Sequence, residues 1–110
     1  MNPLVSVCIP AYNSARYIRT TMESGLGQKY ENIELVVVDD CSKDDTVEIV
    51  RSVRDPRVRL VRNEKNLGMT GNWNKCLAEA RGEYIKLICA DDVLYEDSIE
   101  KELGALLGHP

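Results

Sequence analysis

The sequence predicts an α/β fold, a mostly parallel, doubly wound sheet flanked by helices. Two observations lead there. Strand-like and helix-like stretches alternate four times along the 110 residues. The strand-like runs are also apolar almost throughout, not at every second position. Continuous apolar runs mark strands covered on both faces, and alternation with helices supplies that cover. The length fits one domain, residues 1–110.

Residues 4–10 (LVSVCIP) form the first predicted strand, broken by Ala11-Tyr12-Asn13. Residues 14–26 follow as a helix, with Tyr17, Ile18, Met22 and Leu26 at helical spacing. The second strand, 33–39, ends at Asp39-Asp40. Ser42 is expected to cap the next helix, with Asp45 as its capping-box partner and Val47, Val50 and Val53 facing inward. A third strand spans 57–62, and a polar loop rich in turn formers spans 63–71. The helix predicted over 71–81 carries Trp73, Cys76, Leu77 and Ala80 as a buried stripe, with Gly82 closing it at C′. The fourth strand, 83–89, is expected to be buried and to end at Ala90-Asp91-Asp92. The last helix, 96–107, shows Ile99, Leu103, Leu106 and Leu107 on one face.

Composition narrows the function classes. The chain is 44% hydrophobic and 29% charged, as soluble globular proteins are. Its net charge of −4 gives no general attraction to nucleic acid or an anionic membrane. No apolar run is long enough to span a bilayer, and Met1-Asn2-Pro3-Leu4 does not read as a signal peptide. A cytoplasmic protein is expected. Cys8, Cys41, Cys76 and Cys89 lack the short spacing of zinc or redox motifs, and buried, reduced thiols are expected. The one histidine, His109, lies at the end of the chain, away from a metal role.

Right-handed crossovers bring the C-terminal ends of parallel strands to one sheet edge, where ligands of open sheets bind. Three polar clusters converge there: Pro10-Ala11-Tyr12-Asn13, Asp39-Asp40 and Asp91-Asp92. Adjacent carboxylates suit a hard divalent ion that also takes substrate phosphates. Spacing alone leaves equal room for one aspartate capping the last helix and the other being solvated. Asp40 could equally shape the turn before Ser42. Tyr12 offers a face for a planar base, although a lone tyrosine more simply packs on its loop. Asn66, Gly68 and Asn74 are common turn residues. Arg62 and Lys65 could be solvated or face a diphosphate. Trp73 reads as core.

The strings VSVCIPAYN at 5–13, ELVVVDDCSKDDT at 34–46, and NLG with NKCLAEARGEYIKLICADD across 66–92 closely resemble the family 2 glycosyltransferases of the GT-A fold. The motifs occur in the family's order and cover nearly the whole chain. The resemblance implies transfer of a sugar from a nucleotide donor, usually a UDP-sugar, to an acceptor hydroxyl, typically with inversion. Polysaccharide biosynthesis is the implied setting, with a saccharide or lipid-linked glycan as acceptor left open. The implied strand order is 3-2-1-4. Carried over by position, Pro10, Ala11 and Tyr12 line the nucleoside pocket, and Asp40 accepts a hydrogen bond from the base. Asp39, Asn66 and Gly68 join the donor site. Asp92 contacts a divalent cation, Mg²⁺ or Mn²⁺, with Asp91 beside it or facing the ribose or donor sugar. The acidic motif here is Ala-Asp-Asp instead of Asp-x-Asp. Family members continue into acceptor-binding strands and a carboxylate base, so the chain is expected to be the N-terminal, donor-binding part of a longer enzyme. A nucleotide-binding module without turnover is the rival reading. A receiver domain is disfavoured because its acidic pair belongs after the first strand. A dinucleotide-binding oxidoreductase is disfavoured because no glycine-rich turn follows that strand.

Overall fold

The computed structural model describes residues 2–108. His109, and the expectation attached to it, lies outside the described residues. Four strands, β1 (Val5–Ala11), β2 (Ile33–Asp39), β3 (Val58–Arg62) and β4 (Tyr84–Leu87), alternate with four helices. The helices are α1 (Ile18–Leu26), α2 (Thr46–Ser52), α3 (Gly68–Glu79) and α4 (Ser98–Leu106). The sheet runs β3-β2-β1-β4, the expected order, and each neighbouring pair is parallel. Register sets Val5 opposite Ile33 and Tyr84, and Ala11 opposite Asp39.

Each face of the central strands buries its own core. Val7, Ile9, Leu35 and Val37 pack with Ile18 and Met22 of α1, Val50 of α2, and Ile99 and Leu103 of α4. The alternate residues Cys8, Val36 and Val38 pack against Cys76 of α3. That two-sided burial is why β1 and β2 read as unbroken apolar runs. A short ladder of ion pairs closes the N-terminal edge. Glu34 accepts hydrogen bonds from the Ser6 hydroxyl at 2.5 Å and the Arg81 amide at 2.7 Å. Arg59 pairs with Glu34 at 3.4 Å and Glu79 at 2.9 Å.

Several local expectations are corrected. Ser42 does not cap α2, which starts at Thr46 after Asp45. The Ser42 hydroxyl instead donates to Asp39 at 2.5 Å and accepts from the Asn13 amide at 2.8 Å. The Thr46 amide at the start of α2 finds its acceptor in Asp44, at 3.0 Å. Helix α1 starts at Ile18, since residues 14–17 form a turn closed by the Ser14 carbonyl accepting from Tyr17 and Ile18. Helix α3 begins three residues earlier than spacing suggested, and its buried side chains are Asn72 and Cys76. Trp73 and Leu77 are exposed, so the expected stripe is rotated away from the sheet.

Gly82 is not a left-handed cap. A Cβ there would lie 2.7 Å from the Leu4 carbonyl and 2.8 Å from the Ser6 amide, so glycine serves a close approach of two backbones. Strand β4 is a half-exposed edge, with Ile85 open and Cys89 exposed beyond its end. Leu106 also faces outward, while Ile99, Leu103 and Leu107 hold α4 to the core.

Candidate functional site

A cleft of about 740 Å³ opens at the C-terminal edge of the sheet. Its floor is Pro10 and Ala11 at the end of β1, with Asp40 after β2 and Cys89, Ala90 and Asp91 after β4. Tyr12, Asn13, Ser14 and Tyr17 form one wall, and Asn66, Gly68, Met69, Asn72 and Trp73 form the other. Seven residues named as donor-site candidates therefore share one cavity: Pro10, Ala11, Tyr12, Asp40, Asn66, Gly68 and Asp91.

Tyr12 is half-exposed, its ring free at the mouth of the cleft. The loop behind it is rigidly tied. Asn13 adopts a left-handed conformation (φ 49°), tolerable because asparagine suits that region. Its Oδ1 accepts from the Lys43 amide at 2.8 Å. The Ser14 amide donates to the Thr46 hydroxyl at 2.8 Å and the Ala15 amide to Asp44 at 3.2 Å. These bonds join the β1–α1 loop to the β2–α2 loop. Burial works against ionisation of Asp44, but the Thr46 hydroxyl and amide and the Ala15 amide outweigh it and hold its carboxyl below the usual range.

Adjacent positions give Asp39 and Asp40 separate tasks. Asp39 is buried and outside the cleft lining, and its carboxylate holds the Ser42 amide and hydroxyl. Asp40 is also buried, but it borders the cleft. Its Oδ1 accepts from Asn63 Nδ2 at 3.0 Å and the Leu67 amide at 2.7 Å. Its Oδ2 accepts from the Gly68 amide at 3.0 Å. Two carboxylate oxygens offer about four lone-pair sites, so Oδ2 keeps one in reserve. Gly68 has a positive φ of 78° and a Cβ there would meet nothing, so the glycine is needed for its backbone angle, not for space.

At the far side of the cleft, ligand atoms of Cys89, Asp91 and Asp92 lie within 4.8 Å of one another. All three residues are exposed. Asp92 does not line the cleft itself but adjoins Asp91 at its rim. The two carboxylates are hard oxygen donors and fit Mg²⁺ or Mn²⁺ as a partial site that phosphate oxygens would complete. Desolvation, and the negative charge of Asp92 and Asp91, push the Cys89 thiol up, which favours its neutral form.

Helix α1 positions this acidic turn. The buried Thr21 hydroxyl donates to the Ala90 carbonyl at 2.8 Å. Ser24 Oγ accepts from the Leu94 amide at 3.1 Å. Gln28 donates to the Tyr95 carbonyl at 2.6 Å and accepts from the Ile99 amide at 3.0 Å. Sequence reasoning missed Thr21 and Gln28, although Thr21 and Ser24 on α1, followed by Gln28 just past its end, were a usable polar signal. It also missed Asn72, which donates to the Val38 carbonyl at 3.1 Å and accepts from Asn63 at 2.9 Å. Asn74 is exposed on α3 outside the cleft lining, as are Arg62 and Lys65.

The sequence model of glycosyl transferase family 2 matches residues 6–110. The chain belongs to that family. Among curated relatives, it is 40% identical over 107 residues to the putative teichuronic acid biosynthesis glycosyltransferase TuaG of Bacillus subtilis, covering 96% of this chain and 42% of the relative. It is 38% identical over 100 residues to the Escherichia coli UDP-Glc:alpha-D-GlcNAc-diphosphoundecaprenol beta-1,3-glucosyltransferase WfaP, covering 91% of this chain and 40% of the relative. Among solved structures, S. aureus TarS 1-349 in complex with UDP-GlcNAc superposes with a TM-score of 0.88 at 31% identity, over 96% of this chain and 31% of that one. The mannosyltransferase PcManGT of Pyrobaculum calidifontis, in complex with GDP-Man and Mn²⁺, superposes at 0.85 and 29% identity, over 94% and 32%. The family 2 chain described here thus spans about two fifths of the length of these two curated relatives.

Proposed function

We propose that this chain binds the nucleotide-sugar donor of a family 2 glycosyltransferase, with UDP as its nucleotide, for inverting transfer to an acceptor hydroxyl. One observation carries the reading. A single cleft at the C-terminal sheet edge has an exposed aromatic ring, a buried carboxylate with a spare lone pair, and an acidic pair at its far side. The first two are the chemistry that holds a base, by stacking and by a hydrogen bond, and the third suits a cation-bridged diphosphate. Tyr12 offers its face to the base, as aromatics do to bases generally. The free lone pair of Asp40 Oδ2 accepts an N–H of the base. Pro10 and Ala11 form the floor of the nucleoside pocket. Asn66 and Gly68 shape its α3 side, and Asp39 acts at one remove by holding the Ser42 turn. Asp91 faces the ribose or donor sugar. The names of relatives such as TuaG and the Rhizobium meliloti succinoglycan biosynthesis protein ExoO support polysaccharide biosynthesis as the setting.

Charge decides how the diphosphate is held. The chain carries −4 overall and two carboxylates stand where the diphosphate must lie. Direct contact between them is repulsive, so a divalent cation held by Asp92 and Asp91 is required between them. When bound, that cation neutralises charge on the diphosphate leaving group.

Titration calorimetry tests the reading. UDP should bind with Mg²⁺ or Mn²⁺ present and lose its affinity in EDTA. Asp92→Ala should reproduce the EDTA result, whereas Tyr12→Ala should weaken binding in both conditions. Equal UDP affinity with and without EDTA would sink the cation site and leave Asp91 and Asp92 as solvated carboxylates, since α4 begins at Ser98 after Asp97 and neither caps it.

A further inference from the structure

We propose that Trp73 is the stacking wall for the donor's sugar ring. This rests on the donor reading of the cleft and adds a residue to it. Trp73 is 39% exposed and lines the cleft, one helical turn after Met69. Helix α3 is held to the sheet without it, through buried Asn72 and Cys76. A large indole that the core does not need, facing a ligand cleft, is available for contact.

Its position along the cleft follows from register. The Cys8 thiol points to the Cys76 carbonyl at 3.8 Å, so Cys76 lies over Cys8. Helix α3 runs antiparallel to β1, as a crossover helix must. Trp73 precedes Cys76 by three residues, about 4.5 Å nearer the C-terminal edge. Pro10 lies two residues beyond Cys8, roughly 6.6 Å along the same direction. Trp73 therefore stands at the level of Pro10. Asn72 is tied toward β2 by its bond to the Val38 carbonyl, and Val38 is the register partner of Pro10. On the other flank Cys8 pairs with Leu87, which carries Cys89 alongside Pro10. The groove between α3 and the end of β4 thus runs from Trp73 to Cys89, Ala90 and Asp91.

The order of parts in a nucleotide-sugar completes the argument. With the base at Tyr12 and Asp40 and the diphosphate at the acidic pair, the sugar comes after the diphosphate. Folded back over the diphosphate, its ring lies in the groove between Trp73 and the acidic pair. Pyranose C–H groups are apolar and weakly positive, and they suit the negative π-face of an indole. The bonds of Asn72 to Val38 and Asn63 fix the face that α3 turns to the sheet, and with it the side on which Trp73 stands.

Trp73 is the only tryptophan in the sequence, so its emission reports the contact directly. UDP-glucose, UDP-N-acetylglucosamine and GDP-mannose are titrated with Mg²⁺ into the protein, each against its parent UDP or GDP. Calorimetry measures binding and fluorescence measures the response of Trp73. For the sugar nucleotide that binds, emission should change more than for its parent diphosphate. Trp73→Leu should weaken that sugar nucleotide up to about tenfold and leave the diphosphate within about twofold, with Trp73→Phe in between. If Trp73→Leu fails to fold, the wild-type emission difference and Trp73→Phe carry the test. Equal emission changes and equal losses for UDP alone would put the indole against the nucleotide, overturning the sugar contact but not the donor reading. Binding with no emission change and no loss in the variants overturns it too. Failure of every nucleotide to bind in calorimetry would remove the donor reading and this contact together.

Discussion

Asp40 caps a helix from a distance of twenty-seven residues. Helix α3 begins at Gly68, and the amides at its N-terminus lack intrahelical partners; locally Asn66 Oδ1 answers one of them, accepting from Gly68 at 3.0 Å. The Asp40 carboxylate accepts two of them, from Leu67 and Gly68, and its charge sits at the positive end of the helix dipole. The same group borders the cleft, so one carboxylate joins loop order to the site. Asp40→Ala should leave the part-buried Leu67 amide without its acceptor, while the Gly68 amide keeps Asn66 Oδ1 and Asn63 Nδ2 keeps Asn72, and should cost on the order of 1–2 kcal/mol. Asp40→Asn keeps one acceptor oxygen and should cost less. Urea unfolding with unchanged m-values checks the ranking, and an alanine variant as stable as the wild type would mean the loop is ordered by something else. This role also explains why a loop over 63–71 was expected where helix begins. The capping group lies on another element, and no local signal reveals it. Tyr12 and Asp91, in contrast, could be placed at the cleft from sequence, because each follows an apolar run, although β4 ends at Leu87, two residues before the expected end.

At the scale of elements, the junction of α3 with β4 depends on a missing side chain. Gly82 passes the Leu4 carbonyl and Ser6 amide closely enough that a methyl group has no room. Its own amide donates to Ser6 Oγ at 2.8 Å, and the next amide, of Glu83, donates to the Leu4 carbonyl at 2.9 Å. The obstruction is backbone, which cannot rotate away. Gly82→Ala should therefore destabilise by about 2–4 kcal/mol and shift β4 against β1. Gly68→Ala meets no atoms and should cost only the left-handed backbone penalty, about 1–2 kcal/mol. Thermal unfolding of both variants measures the contrast, and equal destabilisation would contradict the steric account. Sequence spacing read Gly82 as a helix cap because a glycine after a helix usually is one. The approach of β1 that explains it comes from a segment some 76 residues away.

Across the whole molecule, one end of the sheet is open and the other is closed by a polar network. The C-terminal edge is the open cleft, while the N-terminal edge is closed by Ser6, Glu34, Arg59, Glu79 and Arg81. Burial alone would raise Glu34, but the Ser6 hydroxyl, the Arg81 amide and the Arg59 guanidinium outweigh it and hold its carboxyl below the usual range. The Arg59 hydrogen bond, against a smaller cost of burial, lowers Glu79 as well. A carboxylate depressed on folding contributes stability that is present above its unfolded value, about 4.3, and is lost as pH falls through the folded one. Unfolding free energy should therefore decline below about pH 4, and Glu34→Gln should flatten that decline while lowering stability at pH 7. Denaturant titrations from pH 7 to pH 2 measure both slopes. An unchanged acid limb in Glu34→Gln would mean the edge network is not what acid dissolves.

What the sequence determined by itself was the parallel sheet, its two buried central strands, and the order of the polar clusters beyond the strands, whereas β4 was expected over 83–89 and runs only from Tyr84 to Leu87. Those follow from burial on both faces, and an unbroken apolar run signals such burial without reference to any partner. What only the tertiary structure decided was the rotation of α3, the split between Asp39 and Asp40, the exposure of Cys89, and the grip of Thr21 and Gln28 on the acidic turn. Each depends on a polar group meeting a backbone atom distant in sequence. A helix with a modest apolar stripe can turn either face to a sheet, and a few buried hydrogen bonds settle which. In α3, Asn72 bonded to Val38 makes that choice and leaves Trp73 facing the cleft.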